Sequence, residues 1–258
     1  MLGRSVAVTA LAFIGTVTTT GRLCAQDPDS IRAALEQPAD SLVVLDSLFG
    51  SAVDTLPPLP EEVITHLAHL TTAFFDTPQG MGIIPAGMAE ASIAAEYVQI
   101  AGRDSQSLRT MTGNMQNVLH AIDPNEVGNG AGLGYGFKRA AQDVLAHIEL
   151  AMAVEGASST VLFHGPYVVR AATGAISRAD DAIAMARQVR GGQSAEITLP
   201  RVERLADLVR AMAYGDDRDG DGRIGQVESE VGLAQAWYHL NLIYRVEGLD
   251  MPSLTTGR

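Results

Sequence analysis

The chain has 258 residues, of which 47% are hydrophobic and 19% are charged, and this composition excludes a wholly disordered protein. Its 18 basic and 30 acidic residues give a formal net charge of −12. A chain this acidic suits cations better than nucleic acid or anionic membranes. No apolar run in the sequence reaches the length that spans a bilayer. We therefore expect no nucleic-acid partner and no membrane span.

Residues 1–25 have the pattern of a secretory signal peptide. Arg4 precedes a mildly apolar stretch over residues 5–20, and Leu23-Cys24-Ala25 precedes a polar segment. The pattern predicts cleavage after Ala25 and a secreted or periplasmic protein. Cleavage there removes Cys24, the only cysteine, and so excludes disulfides and thiolate metal sites from the mature chain. A lipoprotein anchored through Cys24 is the alternative.

The rest of the chain has the spacing of an all-α protein. Residues 26–60 are predicted to form an arm of low order that ends in the proline-rich linker 55–60. Beyond it, apolar residues recur at helical spacing in segments separated by turn residues: 61–75, 86–101, 105–122, 137–154, 159–190, 200–214 and 227–246. Gly165-Pro166 predicts a kink or a restart within 159–190. The sequence thus predicts a helical bundle over 61–199, a helix-loop-helix over 200–248 and a tail over 249–258.

Residues 217–228 carry the strongest motif. They read Asp-Arg-Asp-Gly-Asp-Gly-Arg-Ile-Gly-Gln-Val-Glu, and so place acidic side chains at positions 1, 3, 5 and 12 of a twelve-residue loop. Ca²⁺ is a hard ion that binds about six to eight oxygen atoms. The segment resembles the EF-hand calcium loop, and the resemblance extends to the flanking helices over residues 201–246. No second loop of this kind occurs, so a paired calcium sensor is not predicted.

The resemblance implies a role for each loop position. Asp217, Asp219 and Asp221 would bind calcium through their side chains, and Arg223 through its backbone carbonyl. Glu228 would lie in the first turn of the outgoing helix and bind through both carboxylate oxygens. Gly222 would allow the sharp bend, and a water molecule would replace the side chain that Gly225 lacks.

Histidines and glutamates in the bundle allow a second, alternative metal or cofactor centre. His66 and His147 fall at the edges of their apolar stripes, whereas Glu90 and Glu96 fall near the apolar face of their helix. A buried carboxylate needs a partner, and convergence of these four side chains would provide one. The competing interpretation is that the histidines make surface ion pairs and that the glutamates bind neighbouring arginines. Of the other histidines, His69 falls further toward solvent, His120 lies near a helix end and complements the helix dipole, His164 fits no single role, and His239 fits packing.

These motifs support three hypotheses of function. The first is an exported calcium-binding protein with a non-catalytic structural or binding role. The second is a periplasmic bundle that handles a metal or cofactor through Glu and His ligands, and the third is a calcium-dependent interaction module. The glycine-rich segment 128–136 has no preceding strand and no Gly-Lys-Ser/Thr, so nucleotide binding is not predicted. No nucleophile or protease motif predicts an enzyme.

Overall fold

The structure is a computed structural model that describes residues 58–225 and 227–254. All regular secondary structure in these residues is helical, so the all-α prediction is confirmed. Among the described helices, none combines the length and apolar character needed to cross a membrane. The predicted signal peptide, its cleavage site and the 26–57 part of the arm lie outside the described residues.

The helices follow one another through short connections. In chain order they are α1 Glu61–Thr71, α2 Ile83–Gly102, α3 Leu108–Gly113, α4 Met115–Ile122, α5 Phe137–Ala153, α6 Ser159–Arg190, α7 Ala195–Tyr214 and α8 Leu233–Val246. Two 3₁₀ turns, Pro78–Gly80 and Pro124–Glu126, lie in the connections before α2 and after α4.

The longest helix, α6, packs along α5, α7 and α8, while α2 packs against α4, α5 and α7, and α1 lies against α5. The buried face of α6 consists mainly of small side chains. They include Ala171, Ala172, Ala175, Ala179, Ala182 and Ala186. Helix axes approach more closely where the side chains between them are small. The alanine-rich sequence of α6 therefore lets three helices pack around it.

Two proline positions differ from the sequence interpretation. Helix α6 continues through Gly165-Pro166, so the predicted restart is wrong. A Cβ at Gly165 would overlap the Met152 side chain on α5, so glycine here permits the close contact between α5 and α6. Helix α7 begins at Ala195 rather than at Pro200, because the Ser194 hydroxyl accepts the Ile197 N–H and caps the helix there.

Other helix ends also differ from the predicted ones. Helix α1 ends at Thr71 rather than at residue 75, because the chain after it turns back and the Phe74 N–H donates to the Met81 carbonyl at 3.1 Å. The predicted helix over 105–122 is divided at Asn114 into α3 and α4. The Asn114 side-chain amide donates to the Thr110 carbonyl at 2.7 Å, which competes with the regular helical pattern.

Candidate functional site

The acidic loop, residues 217–230, connects α7 to α8 and is shaped by hydrogen bonds to its own aspartates. Asp217 accepts the N–H groups of Gly220 at 2.8 Å and Gly222 at 2.9 Å. Asp219 accepts the Asp221 N–H at 3.1 Å, and Asp221 accepts the Arg223 N–H at 2.8 Å. These bonds curl the backbone around the carboxylates, which are exposed.

Three carboxylates converge in the acidic loop. One oxygen from each of Asp217, Asp219 and Glu230 lies within 4.8 Å of the others. Oxygens bound to one calcium ion are at most about 5 Å apart, because each Ca–O bond is about 2.3–2.6 Å long. The three side chains could therefore share one cation with little movement. The predicted side-chain ligands Asp221 and Glu228 are not members of this group.

Glu230, and not the predicted Glu228, is the glutamate that lies close to Asp217 and Asp219. It is 4% exposed, and its Oε2 accepts the Gly225 N–H at 2.7 Å. Helix α8 begins at Leu233 and not at Val227, so Glu228 does not lie in the first turn of that helix. Residues 227–231 instead form one turn, in which the Val231 N–H donates to the Val227 carbonyl at 3.1 Å. This turn leaves Glu228 exposed and brings Glu230 under the aspartates.

The two ends of the acidic loop are held together at a pair of glycines. The Asp216 N–H donates to the Glu230 carbonyl at 2.8 Å. Gly215 has a φ of +84°, and a Cβ there would overlap that same carbonyl. A Cβ at Gly232 would overlap the Gly215 nitrogen. Glycine at both positions thus allows the close approach that closes the loop.

Arg178 on α6 anchors the exit of the acidic loop to the bundle. It is 3% exposed and donates to the carbonyls of Ser229, at 2.5 Å, and of Val231. Burial lowers the pKa of its guanidinium, with the neighbouring Arg218 as a smaller cause. Arg178 therefore fixes the segment on both sides of Glu230. Sequence reasoning missed this residue, because an arginine on an alanine-rich helix resembles an ordinary surface charge.

The histidine cluster, His66, His69 and His147, lies between α1 and α5. The Nδ1 atoms of His66 and His147 are 3.0 Å apart and share a hydrogen bond. One ring nitrogen from each of the three histidines lies within 4.8 Å of the others. The Phe74 ring lies against the cluster, with its centroid 5.1 Å from that of His69 and 5.0 Å from that of His147. The structure therefore joins two of the predicted second-centre ligands with a histidine that sequence reasoning left outside.

Two members of the histidine cluster have a lowered pKa, which favours the neutral imidazole. Burial lowers the pKa of His69, and His66 lowers it further through charge repulsion. Burial is also the largest cause of the lowered pKa of His147, followed by repulsion from His69 and His66. The neutral imidazole is the form that binds a metal ion.

Glu90 and Glu96, the other predicted members of the second centre, lie elsewhere. Glu96 is exposed on α2. Glu90 is fully buried and accepts three backbone N–H groups, from Leu133 at 3.0 Å, Tyr135 at 3.0 Å and Gly136 at 2.9 Å. Glu90 thus has its partners in the glycine-rich loop, residues 128–136, and does not belong to the group of metal-ligand candidates that His66 and His147 form.

Helix α4 holds the glycine-rich loop from its other side. His120 donates from Nδ1 to the Ala131 carbonyl at 2.8 Å, and Asn117 accepts the Ala131 N–H at 2.9 Å. A Cβ at Gly132 would come within 2.8 Å of the Glu90 carboxylate. The loop is therefore a structural element built around a buried carboxylate.

A second histidine pair lies between α6 and α8. The Nδ1 atoms of His164 and His239 are 3.2 Å apart, and the Tyr167 ring stacks on His239 with centroids 4.6 Å apart. Burial lowers the pKa of His164. The pKa of His239 falls to about 4, chiefly through burial and then through repulsion from His164 and Arg170. Sequence reasoning assigned His239 to packing, which agrees with its 5% exposure.

We expect this pair to make folding stability depend on pH. Well above pH 6.5, the ordinary pKa of histidine, His239 is neutral in both folded and unfolded chains, and its contribution to stability is complete. As the pH falls from 6.5 to about 4, the unfolded chain takes up a proton that folded His239 refuses, and about 3 kcal/mol is lost. Urea unfolding of the wild type and of His239→Gln at several pH values measures this difference. Equal pH dependence in both proteins would refute the assignment.

A comparison of the chain with protein-family models, curated proteins and solved structures finds no match.

Proposed function

We propose that this is an exported calcium-binding helical protein in which the ion stabilises the fold, with a non-catalytic structural or binding role. The observation that carries the proposal is the convergence of Asp217, Asp219 and Glu230 in one loop. Support also comes from the resemblance of residues 217–228 to an EF-hand loop, with α7 and α8 as its flanking helices. Export rests on the signal-peptide pattern of residues 1–25.

Electrostatics explains why an ion at this loop would stabilise the protein. Three carboxylates whose oxygens lie within 4.8 Å repel one another when all are ionised. Calcium removes this repulsion, so that ion binding and loop closure are coupled. The loop exit is tied to α6 through Arg178, and order in the loop therefore extends to the bundle.

We expect calcium to raise the melting temperature of the full chain. Free calcium at about 100 times the dissociation constant adds about 2.7 kcal/mol of stability. For a chain of this size that corresponds to a rise of roughly 5–10 °C. Thermal unfolding followed by circular dichroism, in calcium and in excess chelator, measures the shift.

The matched control is the double variant Asp217→Asn, Asp219→Asn. It should show no calcium-dependent shift, because it lacks two of the three converging charges. In chelator two opposing changes set its melting temperature: the loop loses the repulsion between carboxylates, and Asp217 loses one of the two acceptor oxygens that bind the Gly220 and Gly222 N–H groups. A calcium shift of wild-type size in this variant would place the ion elsewhere and contradict the proposal.

One observation favours the second hypothesis, a bundle that handles a metal through protein side chains. The observation is the histidine cluster, whose donor atoms are nitrogens rather than the oxygens of the acidic loop. A protein with both features could carry two chemically different cations, one in each region.

A further inference from the structure

The histidine cluster is built by two packed helices and not by a loop. His66 and His69 are three residues apart in α1, which places them on neighbouring positions of one helix face. His147 faces them from α5, which packs along α1. The His69 ring meets the His147 ring edge-on, with centroids 4.9 Å apart. The three imidazoles are thus positioned by rigid elements, as a binding site requires.

Hydrogen bonding within the protein satisfies only part of this cluster. His66 and His147 satisfy one nitrogen each through their shared bond. The Nδ1 atom of His69 is buried and has no hydrogen-bond partner. A buried polar atom without a partner is rare in folded proteins and needs an explanation. A bound ligand that accepts the lone pair of this nitrogen would explain why the atom has no hydrogen-bond partner.

The carboxylate one helical turn before His147 does not provide that explanation. Asp143 lies four residues before His147 on α5, but it accepts the Tyr135 hydroxyl at 2.5 Å and pairs with Arg139 at 3.6 Å. The rings next to His69 and His147 include Phe74, which offers no polar atom. The cluster is therefore half-buried, partly covered by an aromatic ring, and rich in nitrogen donors.

We propose that His66, His69 and His147 bind one divalent transition-metal ion of the zinc class, with a solvent molecule as the fourth ligand. Zinc binds imidazole nitrogen at about 2.0–2.1 Å in tetrahedral geometry, which separates neighbouring nitrogens by about 3.4 Å. Nitrogens that now lie within 4.8 Å of one another reach this arrangement through small ring movements. The bound ion replaces the hydrogen bond between His66 and His147.

The chemistry of the donors separates this site from the acidic loop. Imidazole nitrogen suits zinc, copper and nickel, whereas calcium prefers oxygen. Three protein ligands and one solvent position are also the arrangement of zinc sites that stay open to a further ligand. The site therefore takes a small anion or water as its exchangeable ligand.

Zinc and cobalt titrations of the chelator-treated full chain test the proposal. Zn²⁺ competition with a chromophoric chelator should give one ion per chain, and Co²⁺ should give the visible absorption of a tetrahedral complex. His69→Gln and His147→Gln should each weaken Zn²⁺ binding by about 100-fold or more, because each removes a ligand and disruption of the outer shell alone costs 10–100-fold. His120→Gln, which alters a histidine outside the cluster, should bind Zn²⁺ within about twofold of the wild type.

The variants need two further comparisons. Far-UV circular dichroism and thermal melting identify any variant that fails to fold. If a variant does not fold, the Co²⁺ spectrum of the wild type alone tests the proposal. The double variant Asp217→Asn, Asp219→Asn should keep the zinc site, so failure of the calcium proposal leaves this one standing. Absence of saturable Zn²⁺ binding, an octahedral Co²⁺ spectrum, or a wild-type Zn²⁺ affinity in the His69→Gln and His147→Gln variants would overturn the proposal.

Discussion

Replacing Glu90 with alanine is expected to destabilise the protein by about 3–5 kcal/mol, a large part of the roughly 5–15 kcal/mol by which folded domains are typically stable. The substitution leaves the N–H groups of Leu133, Tyr135 and Gly136 without their shared acceptor. A buried donor left unpaired costs about 1–3 kcal/mol, and the cavity adds to this loss. Urea unfolding with the circular dichroism of the helices as the signal measures the change.

Glu96→Ala is the matched control, because Glu96 is an exposed glutamate on the same helix. It should change the free energy of unfolding by no more than about 0.5 kcal/mol. Glu90→Gln should fall between the two, since the amide keeps one acceptor oxygen but turns its own N–H groups toward backbone donors. Equal stabilities for Glu90→Ala and Glu96→Ala would contradict the role given to the buried carboxylate.

The second large effect distinguishes two carboxylates of the acidic loop. We expect Glu230→Gln to weaken calcium binding roughly tenfold or more, because it removes one of three converging charges. Glu228→Gln should change the affinity by no more than about twofold, since Glu228 is exposed and lies outside the converging group. Competition with a fluorescent calcium chelator gives both dissociation constants.

The opposite ranking of these two substitutions would indicate a different geometry of the acidic loop. If Glu228→Gln weakens calcium and Glu230→Gln does not, the ion draws the exit of the loop into the arrangement that the EF-hand resemblance predicts. If neither substitution matters, calcium does not bind at this loop. The glutamines keep the size of each side chain and an acceptor for the Gly225 N–H, so the comparison isolates the charge.

Local spacing predicts the helices well because each buries one apolar stripe. The stripe containing Val63, Leu67 and Leu70 is read directly from the sequence, and all three side chains are fully buried. Helix ends are harder to predict, since they depend on tertiary contacts. Helix α8 begins only after Gly232, whose backbone lies against that of Gly215. Nothing in the local sequence of α8 indicates this contact.

The candidate sites also combine residues that local spacing predicts with residues that only tertiary contacts bring into place. The spacing of Asp217 and Asp219 is visible in the sequence, and they converge in the structure. The third carboxylate depends on where the next helix begins, which explains why the sequence favours Glu228 over Glu230.

Sequence reasoning correctly finds that buried Glu90 needs partners but not which ones. Its donors are backbone N–H groups of a loop more than forty residues away in the chain, and a sequence pattern does not report loop backbones. The sequence pattern likewise predicts that His69 faces solvent, because the pattern does not show how the chain turns back after α1. Its burial depends on Phe74, which reaches it only because α1 ends early and the chain turns back.

The measurement that tests the central claim most directly is calorimetric titration of calcium into the calcium-depleted full chain. We expect one saturable event with one ion per chain, absent from the Asp217→Asn, Asp219→Asn variant. No saturable binding by the wild type, or the same binding by both proteins, would contradict the claim that the acidic loop closes around a cation.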